Sequence, residues 1–208
     1  MKINRRCFSA ALLFVTFATP LAAAPDLKNT VYLDTKYGKV TILLRPDLAP
    51  KNVAQIKTLT KQGFYNGIVF HRVIAGFMAQ TGDPTGTGTG GSKLPNLPAE
   101  FTHKAHFVRG TVGMARTSDP NSANSQFFIC YAPTPSLNGQ YTIVGQVISG
   151  MSAVDKLKKG SGEDGMVTNP DKIVKMQLAS DAGQTAKPAK ALHAKPHAKT
   201  LIPPQKAQ

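Results

Sequence analysis

The 208-residue sequence contains no tryptophan and only two cysteines. Cys7 falls in a stretch read below as a removable leader, so Cys130 would stand alone in the mature chain and no intramolecular disulfide can form. Cys130 ends the apolar run Gln126-Phe127-Phe128-Ile129-Cys130, which reads as a site for an inert core thiol rather than a nucleophile. Charged residues make up 17% of the chain, low for a globular protein, and acids are scarce, at 11 against 25 basic residues. No apolar run approaches the ~20 residues that cross a bilayer, so no stable membrane insertion is expected. His193 and His197 have the spacing of a helical ligand pair, but Pro196 lies between them, and no metal or other cofactor is expected.

What is abundant is basic charge, glycine and proline. The formal net charge is +14, and its placement decides its meaning. Lys2, Arg5 and Arg6 put +3 in the first 24 residues; five lysines against Asp181 put +4 in residues 180–208; the middle keeps 14 − 3 − 4 = +7, without a dense run. Such a spread favours solubility and says nothing about fold, so no nucleic-acid partner is expected. Eighteen Gly and fifteen Pro point to turns and short strands, and 41% hydrophobic residues suffice for a core.

The two ends differ from the body. Lys2, Arg5 and Arg6, the apolar run Ala10–Ala18 and the small residues Ala22-Ala23-Ala24 are the three parts of a secretory signal. Asn4-Arg5-Arg6-Cys7-Phe8 also resembles a twin-arginine signal, ranked just behind the Sec route. Residues 1–24 are therefore expected to be a signal peptide and the destination to be the periplasm. Residues 180–208 are rich in Lys, Ala and Pro and poor in large apolar groups, the composition of a disordered basic tail. The folded domain is expected over 25–179.

Within it, Thr30–Lys36 and Lys39–Leu44 read as a hairpin around Tyr37-Gly38. Pro50, then Val53, Ile56 and Leu59, with Gly63 as the stop, predict an amphipathic helix, and a second short helix is expected over Ser152–Lys158. Further strands are expected at Val69–Ile74, Phe77–Thr81, Val112–Ala115, Phe127–Tyr131, Ile143–Ile148 and Lys172–Leu178. Many short strands with two helices suggest a mainly β, closed antiparallel barrel. Gly86-Thr87-Gly88-Thr89-Gly90-Gly91 matches GxGxxG, but Pro95 and Pro98 follow and no helical period appears, so it reads as a turn-rich loop rather than a phosphate cradle.

Three blocks carry a more specific signal. Phe70-His71-Arg72-Val73-Ile74-Ala75-Gly76-Phe77-Met78-Ala79-Gln80-Thr81-Gly82-Asp83 comes first. Gly113-Met114-Ala115-Arg116 with Asn124-Ser125-Gln126-Phe127-Phe128-Ile129 is second, and Leu137-Asn138-Gly139-Gln140-Tyr141 with Val144-Gly145 is third. Their order and spacing resemble the cyclophilins, of the bacterial exported type, over roughly Asn29 to Ala179. The resemblance implies an eight-stranded antiparallel barrel capped by two helices, and a peptidyl-prolyl cis-trans isomerase acting on proline-containing polypeptides; a monomer is expected, though nothing in the sequence identifies an oligomeric state. It implies Arg72 as the catalytic residue, Phe77, Met78, Phe128 and Leu137 as the proline pocket, and Gln80 and Gln126 as orienting groups. Ala115 and Arg116 would hold the peptide through their backbone, and Tyr141 would take the place of a pocket histidine. Ser136 stands where many members carry a tryptophan, which implies weak or no cyclosporin binding. His71 is implied to be structural. His103 and His106 lie in a polar loop and read as solvated. A binding module that grips proline peptides without turnover is the competing reading, and Arg72 favours the enzyme.

Residue types of this kind suit the reaction. Peptide-bond rotation has a barrier of ~18–20 kcal/mol because the nitrogen lone pair is shared with the carbonyl. X-Pro isomers are close in energy yet exchange in tens to hundreds of seconds. No bond breaks, so neither nucleophile nor metal is required. A fixed guanidinium can donate to the nitrogen lone pair that reappears in the twisted amide, and binding that state better than the planar one lowers the barrier. Arginine's planar, permanently charged fork is better pre-organised for this than lysine.

Overall fold

The computed structural model describes residues 26–162 and 164–183. The expected signal peptide, and the expected tail beyond residue 183, lie outside the described residues. The expected domain boundary at 179 falls within a 3-10 turn, Ala179–Asp181, where Ser180 N–H donates to Leu27 O at 3.2 Å.

Among the described residues, eight strands and two α-helices follow in the order β1 Thr30–Thr35, β2 Gly38–Leu44, α1 Pro50–Lys61, β3 Arg72–Ile74, β4 Met78–Thr81, β5 Thr111–Met114, β6 Phe127–Cys130, β7 Ile143–Ser149, α2 Met151–Asp155 and β8 Lys175–Leu178. All ladders are antiparallel and form one sheet, in the order β3-β4-β6-β5-β7-β2-β1-β8. The fold is thus mainly β with two helices, as the strand count suggests.

Closure of the barrel is not seen in the ladders. The sheet is curled and open, with β3 and β8 as its edges. The segments expected as strands over Val69–Ile74 and Lys172–Leu178 are strand only in their second halves. Their first halves meet through a single bridge, Val69 to Lys172, with Phe70 N–H donating to Asp171 O at 2.8 Å and Ile173 N–H to Ile68 O at 2.9 Å. The outer edge of β3 is covered instead by the segment at 164–167. Val73 N–H donates to Gly165 O, and Val167 N–H to His71 O, at 2.8 and 2.9 Å. An edge strand so covered offers no row of free donors to another chain.

Period-two alternation sorts the strands' side chains into two apolar groups. Val73, Ala79, Met114, Phe127 and Ile129 belong to the main core, which also takes Val53, Ile56 and Leu59 of α1. Burying each of those three helix side chains contributes up to about 1.5–3 kcal/mol. Met78, Phe128 and Cys130 belong to a smaller cluster on the opposite face, with Phe107 and Ile143. The helix starts at Pro50, whose missing N–H is no loss in a first turn, and Gly63 lies beyond it at φ 68°. Its orphan N–H groups are capped from far away. The Glu100 carboxylate accepts from Lys51 N–H at 3.1 Å and from Asn52 N–H at 3.0 Å. The second helix ends at Asp155, earlier than expected.

Candidate active site

The site is laid out by strand register on that second face. Arg72 of β3 pairs with Gln80 of β4, Gln80 with Phe128 of β6, and Phe128 with Gly113 of β5. Four residues directly opposite one another share a face of the sheet, so one row crosses four strands. The neighbouring row is Ile74, Met78 and Cys130.

Arg72 is held at two points. Its Nε donates to the Asp164 carbonyl at 2.7 Å and Nη1 to Gln80 Oε1 at 3.3 Å, while Nη2 has no partner among the described residues. The support continues outward. Gln80 Nε2 donates to Gln126 Oε1 at 2.8 Å, and Gln126 Nε2 donates to the carbonyls of Gly88 and Gly90 at 2.9 and 2.8 Å. Each amide has one orientation that satisfies both neighbours, which fixes the guanidinium through a chain of neutral groups.

Beside it opens a hollow of about 420 Å³. Nine of the ten residues singled out from the sequence line it: Arg72, Phe77, Met78, Gln80, Ala115, Arg116, Phe128, Leu137 and Tyr141. Gln126 does not, and lines an adjoining hollow of about 430 Å³ that shares Gln80, Ala115 and Arg116. Phe77 and Met78 are adjacent, and strict alternation would send them to opposite faces. They share the hollow because β4 begins only at Met78, and Phe77 sits in the preceding turn, its N–H donating to Ile74 O at 3.1 Å. Met78 and Phe128 are buried, whereas Phe77, Leu137 and Tyr141 are half-buried against the same cluster.

Sequence reasoning missed several contributors. Phe107 stacks on Phe128 with ring centroids 5.8 Å apart, and Gly113 makes room for both rings. A Cβ on Gly113 would stand 2.5 Å from Phe128 Cζ and 2.7 Å from Phe107 Cε1. Periodicity gives no sign of either role. Thr87, Gly88 and Thr89 also line the hollow, so the Gly/Thr loop is a wall of the site. It contains no helix, as expected, but it is wrapped around a carboxylate. Buried Asp83 accepts from the N–H groups of Thr85, Thr87, Gly88 and Gly90 at 2.6–3.1 Å. Burial, the largest influence, pushes its pKa up, but the Thr85 hydroxyl and the surrounding amides outweigh it and hold the carboxyl at about 2.

His71 is buried, and neither ring nitrogen has a hydrogen-bond partner among the described residues. Burial lowers its pKa, partly opposed by Asp83, so the ring is neutral at physiological pH. His103 and His106 are exposed. Cys130 is fully buried, and burial pushes its thiol up to about 12, which makes it inert. Among the described residues no group of three His, Cys, Asp or Glu could hold a metal, and no helix is long and apolar enough to cross a membrane.

Known proteins resemble this chain in sequence and in overall fold. Residues 30–178 match the model of the cyclophilin type peptidyl-prolyl cis-trans isomerase family. A probable peptidyl-prolyl cis-trans isomerase of Brucella suis is 58% identical over 187 residues, covering 83% of this chain and 95% of the relative. Peptidyl-prolyl cis-trans isomerase-like 1 of Aspergillus oryzae is 42% identical over 160 residues, covering 74% and 98%. Among solved structures, a Cryptosporidium parvum cyclophilin type peptidyl-prolyl cis-trans isomerase in the presence of the dipeptide Ala-Pro matches with a TM-score of 0.66 and 31% identity. It covers 72% of this chain and 98% of that one. The cyclophilin AquaCyp293 from Hirschia baltica matches with a TM-score of 0.66 and 29% identity, covering 75% and 76%. The chain belongs to the cyclophilin-type peptidyl-prolyl cis-trans isomerases.

Proposed function

We propose that this isomerase turns X-Pro bonds in proteins exported to the periplasm, assisting their folding, with Arg72 as its catalytic residue. The observation that carries the site assignment is the Arg72–Gln80–Phe128 row, which sets a guanidinium with one nitrogen unpartnered among the described residues beside a hollow walled by Phe77, Met78, Leu137 and Tyr141. The hollow receives the pyrrolidine ring, and its apolar walls exclude water that would compete for the donor. As the acyl side rotates, the prolyl nitrogen regains its lone pair, and the Arg72 guanidinium donates to it. The planar amide offers no such acceptor, so the interaction strengthens on the way to the twisted state. Neutral Gln80 holds the guanidinium without drawing its charge away. A relative with this fold was solved in the presence of Ala-Pro, which supports a proline dipeptide as the minimal ligand class here.

Export rests on the charged, apolar and small-residue pattern of residues 1–24. Cell fractionation with N-terminal sequencing of the recovered protein tests it: a chain found only in the cytoplasm and still beginning at Met1 contradicts it. Exposed Ser136 at the rim offers little surface to cyclosporin, which supports weak binding. A protease-coupled assay on an X-Pro peptide tests the catalytic assignment, with Arg72→Ala expected to lose most of the rate and equal rates contradicting it.

A further inference from the structure

Arg116 lies two residues beyond β5 and lines both hollows, and its side chain is committed. Nε and Nη2 both donate to the Gln140 carbonyl, at 3.3 and 3.0 Å, and Nη1 donates to Thr117 O at 2.8 Å. A longer contact of 3.4 Å joins Nη1 to Ser118 O. Every guanidinium nitrogen thus serves a backbone carbonyl, in contrast to Arg72. The guanidinium carbon Cζ lies over the Tyr141 ring, 4.5 Å from the centroid. Tyr141 in turn meets Phe128 edge-on, with centroids 5.9 Å apart and planes at 84°.

From this geometry we infer that the Arg116 side chain is a positioning residue that fixes Tyr141 as a rigid wall of the proline hollow. It does so without donating to substrate. Tyr141 is half-buried and follows a turn in which its N–H donates to Leu137 O at 3.2 Å, so packing covers its side chain only in part. A cation over the π face, with its nitrogens anchored to carbonyls, restrains that ring where apolar packing covers only part of it. A wall held before substrate arrives costs less ordering when proline enters, so the benefit falls on binding rather than on rotation. Lysine has no planar face to lay over the ring and no fork to span two carbonyl groups.

The inference rests on the isomerase reading of the site, and a double-mutant cycle on the full chain tests it. KM and kcat are measured with an Ala-Pro tetrapeptide for the wild type, Arg116→Gln, Tyr141→Leu and the double variant. Arg116→Gln is expected to raise KM about three- to fivefold with kcat nearly unchanged, the scale of one partly exposed cation–π contact. In the Tyr141→Leu background the same change is expected to leave KM unaltered. An equal rise in both backgrounds, or no rise with Tyr141 present, overturns the inference. Should Arg116→Gln melt below the assay temperature, Arg116→Lys carries the same cycle with the charge retained. A wild type no faster than the uncatalysed reaction would instead remove the isomerase reading itself.

Discussion

Gln80 stands directly opposite Arg72 across the β3–β4 ladder, and its Oε1 accepts from Arg72 Nη1 at 3.3 Å while its Nε2 reaches Gln126 at 2.8 Å. Position and orientation of the guanidinium therefore depend on an uncharged neighbour whose other end is pinned. Replacing Gln80 with Leu removes both bonds at similar volume. Each is worth about 1 kcal/mol, so kcat/KM is expected to fall by up to about thirtyfold, with kcat falling more than KM rises. The coupled X-Pro assay checks this, and an unchanged rate would leave Gln80 without a role.

Gly113 predicts a different failure. Its replacement by Ala would force a Cβ against Phe128 and Phe107, both of them aromatic and closely packed. Overpacking of this kind costs typically 1–3 kcal/mol. Urea denaturation is expected to show that loss, and a distorted Phe128 is expected to raise KM for the peptide.

How far such a site can be read from sequence is clear from its parts. The run Phe127-Phe128-Ile129-Cys130 alternates faithfully, sending Phe127 and Ile129 to the main core and Phe128 and Cys130 to the site's face. Pro50 and Gly63 bracket α1 as local signals should. What escaped were contacts whose partners are far apart in the chain. The Asp164 carbonyl that holds Arg72 is 92 residues away, and the Glu100 cap of α1 is 48 or 49 away. Closure was over-read for the same reason, since strand-like composition at Val69 and Lys172 does not disclose that segment 164–167 occupies the edge of β3. The sharing of one hollow by Phe77 and Met78 came from the family resemblance, and only the turn before β4 explains it physically.

The Glu100 carboxylate gives a stability prediction remote from the site. It satisfies the Lys51 and Asn52 N–H groups, a task usually done by the residue at the helix start, where Ala49 has no suitable side chain. Glu100→Ala is expected to cost about 1–2 kcal/mol, the value of a lost N-cap, with activity retained. Chemical denaturation and the peptide assay together check both halves.

Acid stability follows from Asp83. Its carboxyl is held at about 2 in the folded protein, below the ~3.9 of an unfolded chain. A lowered carboxyl contributes stability in full above the unfolded value, and loses it as pH falls from about 4 through about 2. Asp83→Asn is expected to be less stable at pH 7 and to lose less on going from pH 5 to pH 2. Denaturation midpoints across that range check the sign; a mutant whose acid loss equals that of the wild type would contradict it.

The central claim is that the Arg72 guanidinium favours the twisted amide, and exchange-spectroscopy NMR on an Ala-Pro peptide measures this without a coupling protease. Cis-trans exchange at the proline is expected to be fast with the wild type and reduced at least a hundredfold with Arg72→Ala, about 2.7 kcal/mol of lost transition-state stabilisation. Both proteins are expected to broaden the peptide signals by binding. Exchange as fast with Arg72→Ala as with the wild type would contradict the account.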